Sequence, residues 1–469
     1  MAKKIYPPGP KGTFPGGLLG QMQNRRMEFL MATARTYGDL AHFRIGPRHI
    51  YLLNHPDYIH YVLVEAPEKF HKSPNLKRQT RKSIGQGLLT SEGELHRRQR
   101  RLAQPAFHHK RIAAYGDVMV DYTRRMLDRW QAGGRLDIAH QMTNLTMQIV
   151  AKTLFDADVS DEADEIGKAI SIGIETVGQR ITLPIYLPEW IPTPKNVERR
   201  RAAQLLEKTI TGIISQRRQS GEDRGDLLSM LLLAVDEEDG GQMTNRQVRD
   251  EVMTLFIAGH ETTANALSWT LYLLAQHPEV EATLVGELDD VLEGRPPTMQ
   301  DLPKLGYTDM VLKESMRLYP PAWIMGREVR EDVTIGGYDI AKGSIVLMSQ
   351  YILHRDLRFF DEPARFLPER FAEGWDARIP RYAYFPFGGG PRICIGNSFA
   401  MMEATLVLAT IMQRWHLALV PGQQIEPEPL VTLRPRTGIW MEVGERRRQT
   451  DLVGATWQVV PTAAQTPPM

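Results

Sequence analysis

Apolar positions recur every three or four residues through Gln104–Phe155, Lys195–Val235 and Asn245–Leu292. That spacing predicts helices that each bury one face. Thr244-Asn-Arg-Gln247 has the form of a capping box and predicts a helix start there. The helix should run to about Gln276, where Pro278 allows a break. Ser91-Glu-Gly-Glu94 has the same form and predicts a basic helix that Pro105 ends. A further helix is expected after Cys394, running to about Trp415. Strand-like runs are His49–Leu53 and Thr334–Met348, the latter punctuated by Gly336, Gly337 and Gly343. Apolar runs such as Leu271–Ala275 fall far short of the ~20 residues of a spanning helix. The chain shows no repeat and no long linker. The expectation is one mainly α domain over residues 1–442, with a small β-rich lobe in the N-terminal region and around 330–350. A loosely ordered tail, 443–469, carries Arg446–Arg448 and a proline-rich end.

The 469 residues include 57 Lys+Arg and 56 Asp+Glu, for a net charge of +1; 42% are hydrophobic and 24% charged. These values fit a globular enzyme and argue against a disordered chain, a coiled coil or a basic nucleic-acid binder. Cys394 is the one cysteine. An internal disulfide, a Cys-based zinc site, a four-thiolate cluster and a C-x-x-C-H haem attachment are therefore excluded. Met1–Tyr6 has two lysines and no apolar run behind them, unlike a secretory signal. A soluble, cytoplasmic protein without a membrane anchor is expected.

The sole cysteine follows a glycine-rich turn and precedes a helix, in Phe385-Pro-Phe-Gly-Gly-Gly-Pro-Arg-Ile-Cys-Ile-Gly396. A lone cysteine usually packs as a small hydrophobe. Here three glycines would let the backbone lie close against something flat. Helix N-terminal N–H groups favour a thiolate, and Arg392 offers a fork for a carboxylate. Phe387, Gly390, Arg392, Cys394 and Gly396 form the pattern F-x-x-G-x-R-x-C-x-G. This segment resembles the signature of the cytochrome P-450 family, the haem-thiolate monooxygenases. The resemblance implies haem b, with Cys394 as axial ligand of its iron. It implies that Arg392 binds a propionate and that Phe387 covers the sulfur, with Gly388, Gly396 and Ala258 also in the cofactor-binding set.

Other motifs agree in order and spacing from about Pro7 to Glu442. Ala258-Gly-His-Glu-Thr-Thr263 lies within the long helix. A glycine there costs roughly 1 kcal/mol, and could merely allow close helix packing. The stretch is similar to the family's oxygen-activation motif, A-G-x-[DE]-T-[ST]. That implies a gap for the oxygen ligand at Ala258, a proton relay through Thr262, and proton delivery from bulk solvent by Glu261. Glu314 and Arg317 share one helical face. They could be a surface pair, which is worth little. The family's E-x-x-R motif instead implies a buried structural triad with Arg370 of Pro368-Glu-Arg-Phe371. His96 and Arg100, also on one face, match a propionate-contacting pair, and Arg327 matches a further propionate arginine. Arg97, Arg98, Arg101 and Lys110 are expected to face solvent, on the side where an acidic electron-transfer protein docks. Glutamate before Thr262 and histidine at 96 depart mildly from the pattern; both occur as family alternatives.

The implied reaction places one atom of dioxygen in a C–H bond and releases the other as water. Hydroxylation or epoxidation of a hydrophobic substrate, a fatty acid or terpenoid, is expected. No flavin- or nicotinamide-binding segment follows the haem region. The electrons would come from a ferredoxin or flavodoxin with its reductase, or from a diflavin reductase. Expected pocket residues are Leu89, Leu255, Phe256, Ile324, Met325 and Val431, with the segments Ser73–Leu89, Ile170–Leu187 and Trp323–Met325 around them. Two other classes of function remain open on sequence. One is a haem-thiolate gas or redox sensor; the other is an isomerase, dehydratase or peroxygenase that needs no reductant.

Overall fold

The computed structural model describes residues 5–12, 18–81, 84–108, 113–182, 190–235 and 240–446. The longer helices are α1 (Arg26–Tyr37), α2 (Gly93–Ala103), α3 (Gly116–Leu127), α4 (Ile138–Phe155), α5 (Ala163–Thr182), α6 (Pro194–Ser220), α7 (Asn245–Leu274), α8 (Pro278–Leu292), α9 (Gly306–Leu318) and α10 (Asn397–Arg414). The strands are β1 (Leu40–Ile45), β2 (Arg48–Leu53), β3 (Phe70–Lys72), β4 (Arg135–Asp137), β5 (Met325–Val329), β6 (Val333–Ile335), β7 (Tyr338–Ile340), β8 (Ile345–Met348), β9 (Trp415–Leu419), β10 (Pro427–Pro429), β11 (Leu433–Pro435) and β12 (Trp440–Glu445).

The centre of the molecule is α7. Thr244 and Gln247 cap it reciprocally, satisfying backbone groups that the first turn leaves without partners. It packs along α4 and also touches α9 and α10. Most of its side chains are buried, including Val252, Phe256, Leu267 and Trp269. This is why its apolar pattern is not confined to one stripe. Pro278 begins α8 after a short turn. Among the described residues, no helix is long and apolar enough to cross a membrane.

The β-rich lobe is a five-stranded sheet in the order β1-β2-β8-β5-β3. Strands β2 and β8 are parallel; the other neighbours are antiparallel. The register of the last pair sets Lys72 of β3 directly opposite Arg327 of β5. A hairpin of β10 and β11 brings Thr432 back toward α7.

Three local expectations are corrected. Ser91 does not cap α2: Glu92 holds the N-cap position without a capping bond, because its carboxylate is engaged elsewhere. The helical run expected over Gln104–Phe155 is broken by β4, which pairs with β12. The chain stays ordered past 442, because Val443, Gly444 and Glu445 pair with Leu417, His416 and Trp415. The rest of the expected tail, from 447, lies outside the described residues.

Candidate active site

The cysteine turn is fixed from three sides. The Cys394 N–H donates to the Phe387 carbonyl at 3.0 Å, and the Gly388 N–H donates to Phe385 at 3.0 Å. Gly390 has φ +63°, and a Cβ there would fall 1.8 Å from the Leu63 carbonyl oxygen. Gly390 thus fits against the protein's own backbone, while Gly389 lies against the Tyr382 side chain. Arg100 of α2 donates to the Ile393 carbonyl at 2.7 Å. Cys394 sits deep in the molecule, and burial raises its pKa. A backbone hydrogen bond at Gly396 and the Arg100 charge pull the other way. Its residue surface is nonetheless accessible.

Beside the turn lies a cluster of basic side chains. Arg392 donates to the carbonyls of Phe70, at 2.7 Å, and Pro67, at 3.3 Å, and to Glu92 at 2.6 Å. The other Glu92 oxygen accepts the Lys72 backbone N–H. Burial pushes Lys72 down to about 7, Arg327 down to about 10, and His96 down to about 4. Neighbouring cations add to each shift, Arg392 in all three cases. Arg327 also has a buried Nε without a hydrogen-bond partner. Like charges opposed across a strand pair, as Lys72 and Arg327 are, destabilise it. Desolvated, crowded cations with an unused donor fit an anionic group, and a pair of carboxylates would suit them.

On α7, Ala258 is exposed although residues 248–256 before it are almost all buried. One turn later, the Thr262 hydroxyl donates back to the Ala258 carbonyl at 3.0 Å. Glu261 points elsewhere: its carboxylate accepts the Thr432 hydroxyl at 2.5 Å. Burial raises it to about 7, against the lowering effects of Thr432 and Arg434. This contact joins Glu261, expected from sequence to deliver protons from bulk solvent, to the β10–β11 hairpin.

The other expected residues divide. Glu314 and Arg317 are fully buried and paired bidentately at 2.6 and 2.8 Å, and Arg370 joins Glu314 at 3.3 Å. Arg317 also donates to the carbonyls of His354 and Pro363 at 2.8 Å, and His354 accepts the Phe385 N–H at 3.0 Å. The triad therefore reaches the start of the cysteine turn. Leu89 is 42% exposed, while Met325 and Val431 are half-buried. Leu255 and Phe256 belong to the core, Phe256 lying against Phe155, because that face of α7 meets α4. Trp323 is buried and donates to the Leu430 carbonyl, and Ile324 packs on the same core. Arg97 is exposed, but Arg98 and Arg101 are only half-exposed; Lys110 lies outside the described residues. So do 82–83 and 183–187 of the expected pocket segments. Lys72, Glu92 and Thr432 were not foreseen. Their partners lie between 16 and 300 positions away, and no local pattern marks them.

Comparison with known proteins agrees with this geometry. The family model for Cytochrome P450 matches residues 7–440. Cyclooctatin synthase of Streptomyces melanosporofaciens is 40% identical over 426 residues, covering 89% of this chain and 92% of its own length. Cyclooctat-9-en-7-ol 5-monooxygenase of the same organism is 41% identical over 422 residues, covering 88% and 91%. Pentalenene oxygenase of Streptomyces avermitilis is 35% identical over 428 residues, covering 90% and 94%. The chain belongs to the cytochrome P450 family: it is a monooxygenase that binds haem b through a cysteine thiolate and needs dioxygen, a substrate and a redox partner.

Proposed function

We propose that this enzyme hydroxylates a terpenoid, using electrons from a separate acidic protein. The observation that carries the reading is the exposed Ala258, one turn before Thr262 on a mostly buried helix. Relatives named for pentalenene and cyclooctat-9-en-7-ol support a bulky apolar substrate. Residues 1–442 would form one haem-thiolate domain.

Cys394 is the residue that would ligate the iron, its thiolate favoured by the hydrogen bond at Gly396 and by Arg100. Arg392, His96, Arg100 and Arg327, joined by Lys72, would hold the two propionates. Phe387, Gly388 and Gly396 shape the turn. Haem on a thiolate supplies the activation of dioxygen. The chain supplies protons and placement. Glu261 holds a proton near neutral pH on its carboxyl group. The Thr262 hydroxyl both donates and accepts, as a relay requires. Ala258 keeps a side chain from filling the space beside it. Glu314, Arg317 and Arg370 brace the loop that carries Cys394.

The electron donor would dock at an open hollow of about 880 Å³ bordered by Arg97, Arg100, Arg101, His108 and Pro391. Its basic rim suits an acidic ferredoxin or flavodoxin.

The test is turnover of pentalenene and cyclooctat-9-en-7-ol with a ferredoxin, its reductase and ¹⁸O-labelled dioxygen. A monohydroxylated product carrying one labelled oxygen is expected. Product without label would indicate a reductant-independent reaction. Turnover confined to fatty acids would overturn the substrate class.

A further inference from the structure

Both ends of the Leu88 peptide are held by buried side chains, a carboxyl group 163 positions away and an amine 16 positions away. Its N–H donates to Glu251 Oε2 of α7 at 2.9 Å, and its carbonyl accepts Lys72 Nζ of β3 at 2.7 Å. Glu251 is fully buried, and its other carboxylate oxygen has no hydrogen-bond partner. A buried carboxylate with half its acceptors unused is a costly way merely to fill space. The surrounding loop rides directly on the helix. The Gln86 N–H donates to Asp250 at 2.8 Å, and a Cβ on Gly87 would fall 2.2 Å from the Thr254 hydroxyl.

The consequence falls on the next residue. Leu88 is 8% exposed and Thr90 is 6% exposed, yet Leu89 between them is 42% exposed. Glu251 and Ala258 are seven residues apart, which places them on one face of α7 about two turns, or roughly 10 Å, apart. The loop is thus pinned on the same helix face that opens at Ala258.

The geometry points to Glu251 as a positioning residue for substrate specificity: by holding Leu88, it fixes the loop that presents Leu89 to the substrate. This rests on reading the Ala258 face as the substrate space. It does not depend on which substrate the enzyme takes.

The experiment uses haem-loaded parent, Glu251→Ala, Glu251→Gln and Leu89→Ala. Imidazole and the larger 4-phenylimidazole are titrated by their Soret shifts, and amide hydrogen exchange is followed over residues 84–90. Leu89→Ala and Glu251→Ala should both shift the ratio of the two dissociation constants in the same direction. The Glu251→Ala shift should be about tenfold, the loss expected when a buried N–H is left without its acceptor. Exchange at Leu88 should quicken in Glu251→Ala. Glu251→Gln keeps a carbonyl acceptor and should stay near the parent. The inference is overturned if Leu89→Ala leaves the ratio unmoved, or if Glu251→Ala changes neither ratio nor exchange. It is also overturned if both Glu251 variants fail to fold, since the role would then be structural. A parent protein that bound neither azole would count against the haem-pocket reading, while the exchange data would still judge the clamp.

Discussion

Glu261 accepts a hydrogen bond of 2.5 Å from the hydroxyl of Thr432, 171 positions further along the chain. The contact ties the acid on the central helix to the last β-hairpin. Burial holds Glu261 up at about 7, and Thr432 and Arg434 pull it down. Below that pH the group carries a proton to donate; above it the proton is lost. Product formed per electron pair should therefore fall as pH rises through about 7. Thr432→Val removes a group that stabilises the carboxylate, so the midpoint should move up. Product yields measured across pH check this; a midpoint that stays in place or moves down would show that Thr432 does not set the titration of Glu261.

Thr262 is the hydroxyl beside the opening at Ala258. Thr262→Ala should leave reductant consumption in place but divert it to hydrogen peroxide, lowering product per electron pair by about tenfold or more. Peroxide and product are counted against cofactor oxidised. Unchanged coupling would exclude a role in proton transfer.

Glu314 pairs with both Arg317 and Arg370 and accepts the Leu367 N–H at 2.9 Å. Removing one partner of a buried pair costs about 3–5 kcal/mol. Glu314→Ala should yield little haem-loaded protein, measured as haem per polypeptide. Normal loading would show that the turn holds without the triad.

The hollow beside Pro391 is rimmed by Arg97, Arg100 and Arg101. Reduction by an acidic ferredoxin should slow as salt rises, and Arg97→Glu should slow it several-fold at low salt. Stopped-flow reduction measures both. A rate indifferent to salt and to Arg97→Glu would place the docking face elsewhere.

The sequence made some of this architecture legible and hid the rest for physical reasons. The start of α7 was readable because its cap is local: Thr244 and Gln247 satisfy each other within one turn. The Glu314–Arg317 pair was readable for the same reason. Family resemblance then brought in Arg370, which no spacing rule would. Phe256 looked like a pocket residue, but which face of a wholly buried helix meets a neighbour is decided by α4. Ser91 fitted a cap pattern, but Glu92 occupies the position and is bound by Lys72 and Arg392. Lys72 itself acquires meaning only through the register that sets it against Arg327. Such pairings have no local signature, and they supply much of the cation cluster.

The account rests on Cys394 as the axial ligand of haem iron. The most direct measurement is the absorption spectrum of the purified protein, reduced with dithionite and exposed to carbon monoxide. A strongly red-shifted Soret band, the mark of a thiolate ligand, is predicted; with one cysteine in the chain, that ligand is Cys394. A band at the position of histidine-ligated haem, in folded and haem-replete protein, would contradict it.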